Sequence, residues 1–224
     1  MRRALSTLVP ALKDSIIIFA VYIILGIVLT VVSLIYSSSS VKIGTLRPIS
    51  AIPPHEIYLL IGALLICLVS CAVYRRFDFS FLFLPIIFII MLDLDHLPVI
   101  LGVAQPIRPA HSIFFLLALI LILRLGLKKP LYIEFLAISS FLMHIAIDNG
   151  VFALFAPFSF EYYDLGQIRI YLGLLAIMVA AMAGYSKRVL DSRLHMREGK
   201  GISTVKGAYN DIGEITDQYR SCYQ

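Results

Sequence analysis

Charged side chains are scarce in this chain: they make up 15% of its 224 residues, while 60% are hydrophobic. Soluble domains carry about 25% charged and about 45–50% apolar residues, so the deficit excludes an ordinary water-soluble fold. Cysteine is scarcer still, with three residues. Cys67 and Cys71 lie in one apolar run and Cys222 near the C-terminus, a distribution that excludes a disulfide framework and leaves them as small apolar fillers. No internal repeat is visible. The first apolar run is too long for a signal peptide and lacks a small-residue cleavage site, so it reads as a retained span.

What the chain has instead is hydrocarbon-compatible sequence. A helix needs about 17–25 apolar residues to cross a bilayer, and six stretches meet or approach that length: 16–36, 57–74, 79–97, 112–127, 131–148 and 169–186. The reading is an all-α, polytopic membrane protein with about six transmembrane helices over residues 1–186 and a short cytoplasmic C-terminal tail over 187–224. The tail mixes charges with Gly and Tyr and has no long apolar stripe, so we expect it to be partly disordered, with His195 solvated. The segment "SSSSVKIGTLRPISAIPPHE" between the first two spans has the Ser, Gly and Pro clusters of a loop.

The net charge of +5 is read through its distribution. With the N-terminus in the cytoplasm and six spans alternating, Arg2, Arg3, Lys13, Arg75, Arg76, Lys128, Lys129, Lys187 and Arg188 fall inside. Only Lys42, Arg47, Arg108 and Arg169 fall in the outer connections. That is the asymmetry of the positive-inside rule, and it replaces nucleic acid as the reason for the basic balance. Arg124 snorkels at the inner end of the fourth span, and Glu134, one turn into the fifth, faces the same interface.

Polar residues then gather at one depth. "MLDLDHLPVI" brings Asp93, Asp95 and His96 to the outer end of the third span; His111 and Ser112 open the fourth; "HIAIDNG" puts His144 and Asp148 in the last outer turns of the fifth. His144 and Asp148 are four apart and share a helix face, as do Asp93 and His96, three apart. Asp95 points elsewhere on a regular helix, although Pro98 discourages helical geometry at Leu97 and leaves partial unwinding open. His55 and Glu56, after two prolines, fit the ordinary start of a helix at the same depth.

An ionised carboxylate deep in a membrane costs about 2.5–3.5 kcal/mol, and three together repel. A divalent cation removes both problems, and imidazole with carboxylate suits Zn²⁺ first, with Mn²⁺ or Fe²⁺ as alternatives. The residues alone therefore propose a divalent metal ion held near the outer face.

The ordered set "DLDH", "RPAHS", "HIAIDNG" and "APFS", spanning residues 91–160, resembles the YdjM-like family of membrane-bound, metal-dependent hydrolases. The resemblance implies site roles for Asp93, Asp95, Arg108, His111, Ser112, His144 and Asp148, with His96 a companion. The chain departs from the family pattern at Ile107, where a histidine is common, and at Ala110, where a threonine is common; the segment is also one residue shorter.

The expectation is hydrolysis of a phosphoester in a lipid or lipid-linked substrate at the outer boundary. Asp93, Asp95, His111, His144 and Asp148 form the ligand pool. Asp95 or His96 serves as proton carrier and Arg108 clamps a phosphate; Ser112 supports the ligand beside it. Two alternatives stand against it: a non-catalytic protein with a structural metal, and a transporter. A transporter would string its polar groups along a path near the midplane.

Overall fold

A computed structural model describes residues 2–36, 55–93, 109–148, 152–156, 158, 159, 161 and 163–221. Its helices are α1 (Arg2–Tyr36), α2 (His55–Tyr74), α3 (Phe79–Leu92), α4 (Ile113–Leu121), α5 (Leu131–Ile147) and α6 (Ile168–Ser221). A 3₁₀ turn (Pro109–His111) leads into α4, and a π-helical turn (Ile122–Gly126) ends it. No strand ladder occurs among the described residues; one antiparallel bridge joins Phe152 to Tyr163. The chain divides into two compact units, Met1–Tyr185 and Ser186–Gln224, and the packing and sites described below lie in the first.

Among the described residues, three helices are long and apolar enough to cross a membrane: Leu8–Val28, Ile57–Tyr74 and Ile168–Leu194. The other three apolar helices, Phe79–Leu92, Ile113–Gly126 and Leu131–Ile147, are shorter, fewer full-length spans than the six sequence windows suggest. The shortening has local causes. Asp78 starts α3 by accepting the Ser80 N–H at 2.8 Å, and the Asp93 N–H closes it by bonding back to Ile90 and Met91. The Ser112 hydroxyl caps α4 through the Phe115 N–H, and Asp148 leaves the helical region at the end of α5, with ψ at 125°. Each polar residue at a window's edge therefore ends a helix instead of extending it.

The outward surface is apolar. Only 22% of the span within α1, 33% of that in α2 and 22% of that in α6 is buried, so these helices turn most of their hydrophobic side chains outward. Such a continuous apolar exterior has no place in water and is the normal exterior of a membrane protein. Inward, α6 presents Ala176, Ala180 and Ala183, all fully buried. A Cβ added at Gly184 would stand 2.3 Å from the Ser70 carbonyl oxygen, so only glycine lets α2 and α6 approach this closely. Ser70 and Ser139 donate across to the α6 carbonyls of Ala180 (2.9 Å) and Ala176 (2.7 Å). These bonds link α6 to α2 and α5 where apolar attraction between helices is weak.

Helix α3 packs against α1, α2 and α5, and α2 packs against α5 as well. Phe81, Phe88, Phe115, Leu92 and Ile133 fill the centre. Tyr22 of α1 packs on Phe115 with ring centroids 4.8 Å apart. This packing lays the C-terminal ends of α3 and α5 and the start of α4 together at one end of the bundle.

Candidate metal centre

At that end, one carboxylate and two imidazoles converge. Ligand atoms of Asp93, His111 and His144 all lie within 4.8 Å of one another, and both histidines are fully buried. His144 Nε2 is 3.0 Å from His111 Nε2 and 3.6 Å from Asp93 Oδ1. Asp148 closes the other side, with Oδ2 3.8 Å from His111 Nε2. The order in space is carboxylate, imidazole, imidazole, carboxylate.

Each member is held by its element. His144 Nδ1 is 3.1 Å from the Ile89 carbonyl oxygen. A carbonyl only accepts, so Nδ1 carries the proton and a neutral His144 turns its Nε2 lone pair toward the centre. Ile89 lies in the last turn of α3, where carbonyls lose their helical partners, so the imidazole also completes that helix end. His111, at the end of the 3₁₀ turn, stacks on Phe152 with ring centroids 5.4 Å apart and planes 18° apart. Phe152 is itself fixed by two backbone bonds to Tyr163, of 3.1 and 2.9 Å. The Leu154 carbonyl accepts the Ile113 N–H at 2.9 Å, tying this connection to the start of α4. Farther along, the Tyr163 hydroxyl donates to Glu161 at 3.0 Å, a bond that raises that phenol's pKa.

The donor set fits a divalent metal by distance. With zinc–nitrogen bonds of about 2.0–2.1 Å, neighbouring ligand atoms of a tetrahedron stand about 3.3 Å apart. The separations of 3.0, 3.6 and 3.8 Å between successive ligand atoms lie near that value, and those of Asp93, His111 and His144 all fall within 4.8 Å, compact enough to hold one ion. Charge points the same way. Asp93 caps the C-terminus of α3 and Asp148 that of α5, the ends where the helix dipole is negative and an anion is disfavoured. Two carboxylates at two negative helix ends, flanking buried imidazoles inside an apolar bundle, create a demand for positive charge. A divalent ion would offset the two carboxylates.

Asp93, His111, His144 and Asp148 come together. Asp95, His96 and Arg108 lie outside the described residues, as do the side chains of His55 and Glu56, which open α2. The Ser112 hydroxyl accepts the Phe115 N–H at 3.1 Å, so it serves the start of α4. Glu134 lies at the far end of the bundle, buried and paired with Arg124 at 3.3 Å.

Sequence reasoning missed three contributors. The Ile89 carbonyl has no signature in residue type. Phe152 carries one, an aromatic residue shortly after "HIAIDNG", but nothing in its type ties it to the histidines. Arg169 was sorted merely as an outer-loop cation; its Nη1 donates to the Asp148 carbonyl at 3.4 Å and its Nε to Gly166 at 3.2 Å. An arginine in the first turn of a helix opposes that helix's dipole, and this was the available hint that it serves a neighbouring element. Comparison with family models, with curated proteins and with solved structures finds no match to this chain.

Proposed function

We propose that this chain is a membrane-embedded, metal-dependent hydrolase of the YdjM-like kind, acting on a phosphoester of a lipid or lipid-linked substrate. The observation that carries the reading is the convergence of Asp93, His111 and His144 within 4.8 Å at one end of an apolar bundle, with Asp148 beside them. In the proposed arrangement His111, His144, Asp93 and Asp148 hold a divalent metal, with zinc preferred on its imidazole and carboxylate donors. Held by these residues, a divalent ion would supply Lewis acidity toward a phosphoryl oxygen and would lower the pKa of a water so that hydroxide is available near neutral pH.

The protein's own groups do the rest. His144 stays in one tautomer because Ile89 holds its Nδ1 proton. Phe152 and the buried helix ends keep water from the far side of the imidazole pair. In this reading Asp95 or His96 moves the proton and Arg108 orients the phosphate, as the motif order suggests. All six apolar helices belong to the membrane region, with both termini cytoplasmic and the centre toward the extracytoplasmic face. The shorter helices suit this, since their ends are the polar residues of the site. Transport fits less well, because the buried carboxylates and imidazoles among the described residues gather at the two ends of the bundle instead of lining a path through it.

The test begins with bound metal. Elemental analysis of the protein in mild detergent is expected to find stoichiometric metal, lost in His111→Ala/His144→Ala. Phosphate release from lipid phosphoesters should then require that metal and vanish in His144→Ala and Asp148→Ala. Full turnover in either purified variant refutes the enzymatic reading, and absence of metal in the wild type after reconstitution refutes the centre. A reporter fused after residue 104 is expected outside the cytoplasm; a cytoplasmic signal overturns the orientation.

A further inference from the structure

At the end of the bundle opposite the metal centre, α2 turns into α3 and α4 turns into α5. The two turns lie side by side: Tyr74 meets Phe81 at 5.6 Å between ring centroids, and Phe81 meets Tyr132 at 6.0 Å. Each turn contains one residue in the left-handed region, Arg75 with φ of 65° and Lys128 with φ of 49°. The conformation is needed to close the helix ends, where the Arg75 N–H bonds to Cys71 (2.8 Å) and the Lys129 N–H to Leu123 (2.9 Å). Glycine ordinarily takes such positions because it adopts them without a steric penalty. Here both are occupied by exposed cations instead.

The charge inventory of this end is one-sided. Lys13, Arg75, Arg76, Arg124 and Lys128 are exposed. The acidic groups beside them are fewer: Asp14 pairs with Lys129, Glu134 pairs with Arg124, and Asp78 is buried at the start of α3 on the Ser80 N–H, which leaves Lys13, Arg75, Arg76 and Lys128 in excess. The outward charge is therefore positive. Directly beside the cations stand large exposed apolar side chains, Phe77 at 60% and Leu125 at 70% exposure. A soluble polyanion has nothing to place on those groups, whereas a phospholipid offers a phosphate to the cations and an acyl chain to Phe77 and Leu125.

We propose that the α2–α3 and α4–α5 turns form a binding site for the headgroup of an anionic phospholipid, with Arg75 and Lys128 as its principal cations. The two backbone positions are kept cationic at a conformational cost that glycine would remove, and the lipid contact is the return. The site rests on the membrane setting of the protein and is independent of the metal centre and its chemistry.

The test uses the full chain in mild detergent, titrated with phosphatidylglycerol and with phosphatidylcholine of the same acyl chains. Binding is read by native mass spectrometry and stability by melting temperature. Wild type is expected to prefer phosphatidylglycerol. Losing one cation should lower that affinity about fivefold, and losing both about 25-fold. Arg75→Gly/Lys128→Gly is expected to lose the preference yet melt at an equal or higher temperature in phosphatidylcholine, because glycine relieves the backbone. Arg75→Gln/Lys128→Gln should lose the preference without that gain, and Arg75→Lys/Lys128→Arg should keep it. Equal binding of both lipids to wild type, or an undiminished preference in the glycine variant, overturns the proposal. A lower melting temperature of the glycine variant refutes the argument from backbone cost. Displacement of phosphatidylglycerol by poly(U) would reassign the patch to polyanions in general.

Discussion

His144 uses its two ring nitrogens for different purposes, and two substitutions separate them. Nδ1 holds the Ile89 carbonyl at 3.1 Å, while Nε2 faces His111 at 3.0 Å and Asp93 at 3.6 Å. His144→Ala removes both nitrogens and empties a fully buried site. The bond between helices contributes about 0.6 kcal/mol on average in membrane proteins and about 1.7 at most. The cavity from truncating a large buried side chain adds about 2–5 kcal/mol, so the metal-free protein should lose about 3–7 kcal/mol in all. His144→Asn places an amide N–H near the position of Nδ1, keeps the Ile89 bond and leaves a smaller void, for a loss of about 1–2 kcal/mol. Neither variant offers Nε2. Zinc at a hundred times its dissociation constant stabilises a native state by about 2.7 kcal/mol, and both variants should lose most of that increment. Unfolding is followed in mild detergent, once with a chelator and once at fixed free zinc. An Asn variant that retains the whole zinc increment refutes the role of Nε2, and one as unstable as the Ala variant without metal refutes the role of Nδ1.

Gly184→Ala should destabilise by about 1–3 kcal/mol, because the new methyl would stand 2.3 Å from the Ser70 carbonyl oxygen and 3.1 Å from the Val73 Cβ. Gly26→Ala, with nothing within 4 Å, should stabilise by up to about 1 kcal/mol; equal effects in detergent unfolding would contradict the close packing of α2 on α6. Arg169→Gln should weaken metal binding about 10–100-fold, the usual cost of losing a group that orients a ligand. The metal-free protein should melt almost unchanged and Arg169→Lys should recover part of the affinity. Unchanged affinity in a chelator competition would leave Arg169 only to the start of α6.

The helical, membrane-type character was legible because it depends on average properties, the shortage of charge and the length of apolar runs. Helix ends were less so. Windows of hydropathy extend through Leu97, yet α3 ends at Leu92, because its terminus is decided by where one backbone N–H finds a carbonyl. Hydropathy averages over such events. At the centre, Asp93, His111, His144 and Asp148 could be nominated because an ionisable side chain is conspicuous in an apolar run. Their supports could not be found in the same way. The Ile89 carbonyl is a backbone group that every residue possesses, and Phe152 becomes informative only when its ring is seen on His111. Arg169 is separated from Asp148 by 21 positions, so only the fold brings them together.

The position of the centre follows from the same electrostatics that require a cation. A carboxylate in mid-helix would sit deep in hydrocarbon, where its insertion cost is greatest. At a helix C-terminus it is nearer the boundary but faces the unpaired carbonyls and the negative end of the dipole. Asp93 and Asp148 both accept this second location, in two helices whose ends are packed side by side. Either acid alone could be tolerated by reaching water, and both do keep some access, at 24% and 15% side-chain exposure. Together, with two buried imidazoles between them, they bring two negative charges and two negative helix ends to one place. Asp93 shares one cluster of ligand atoms with both imidazoles, all within 4.8 Å of one another, whereas Asp148 meets His111 from the side at 3.8 Å. Positive charge is therefore most in demand beside Asp93 and His144, so that is where a metal should bind most tightly. Asp93→Asn should therefore reduce metal affinity more than Asp148→Asn, and the reverse order in a chelator competition would refute this electrostatic account.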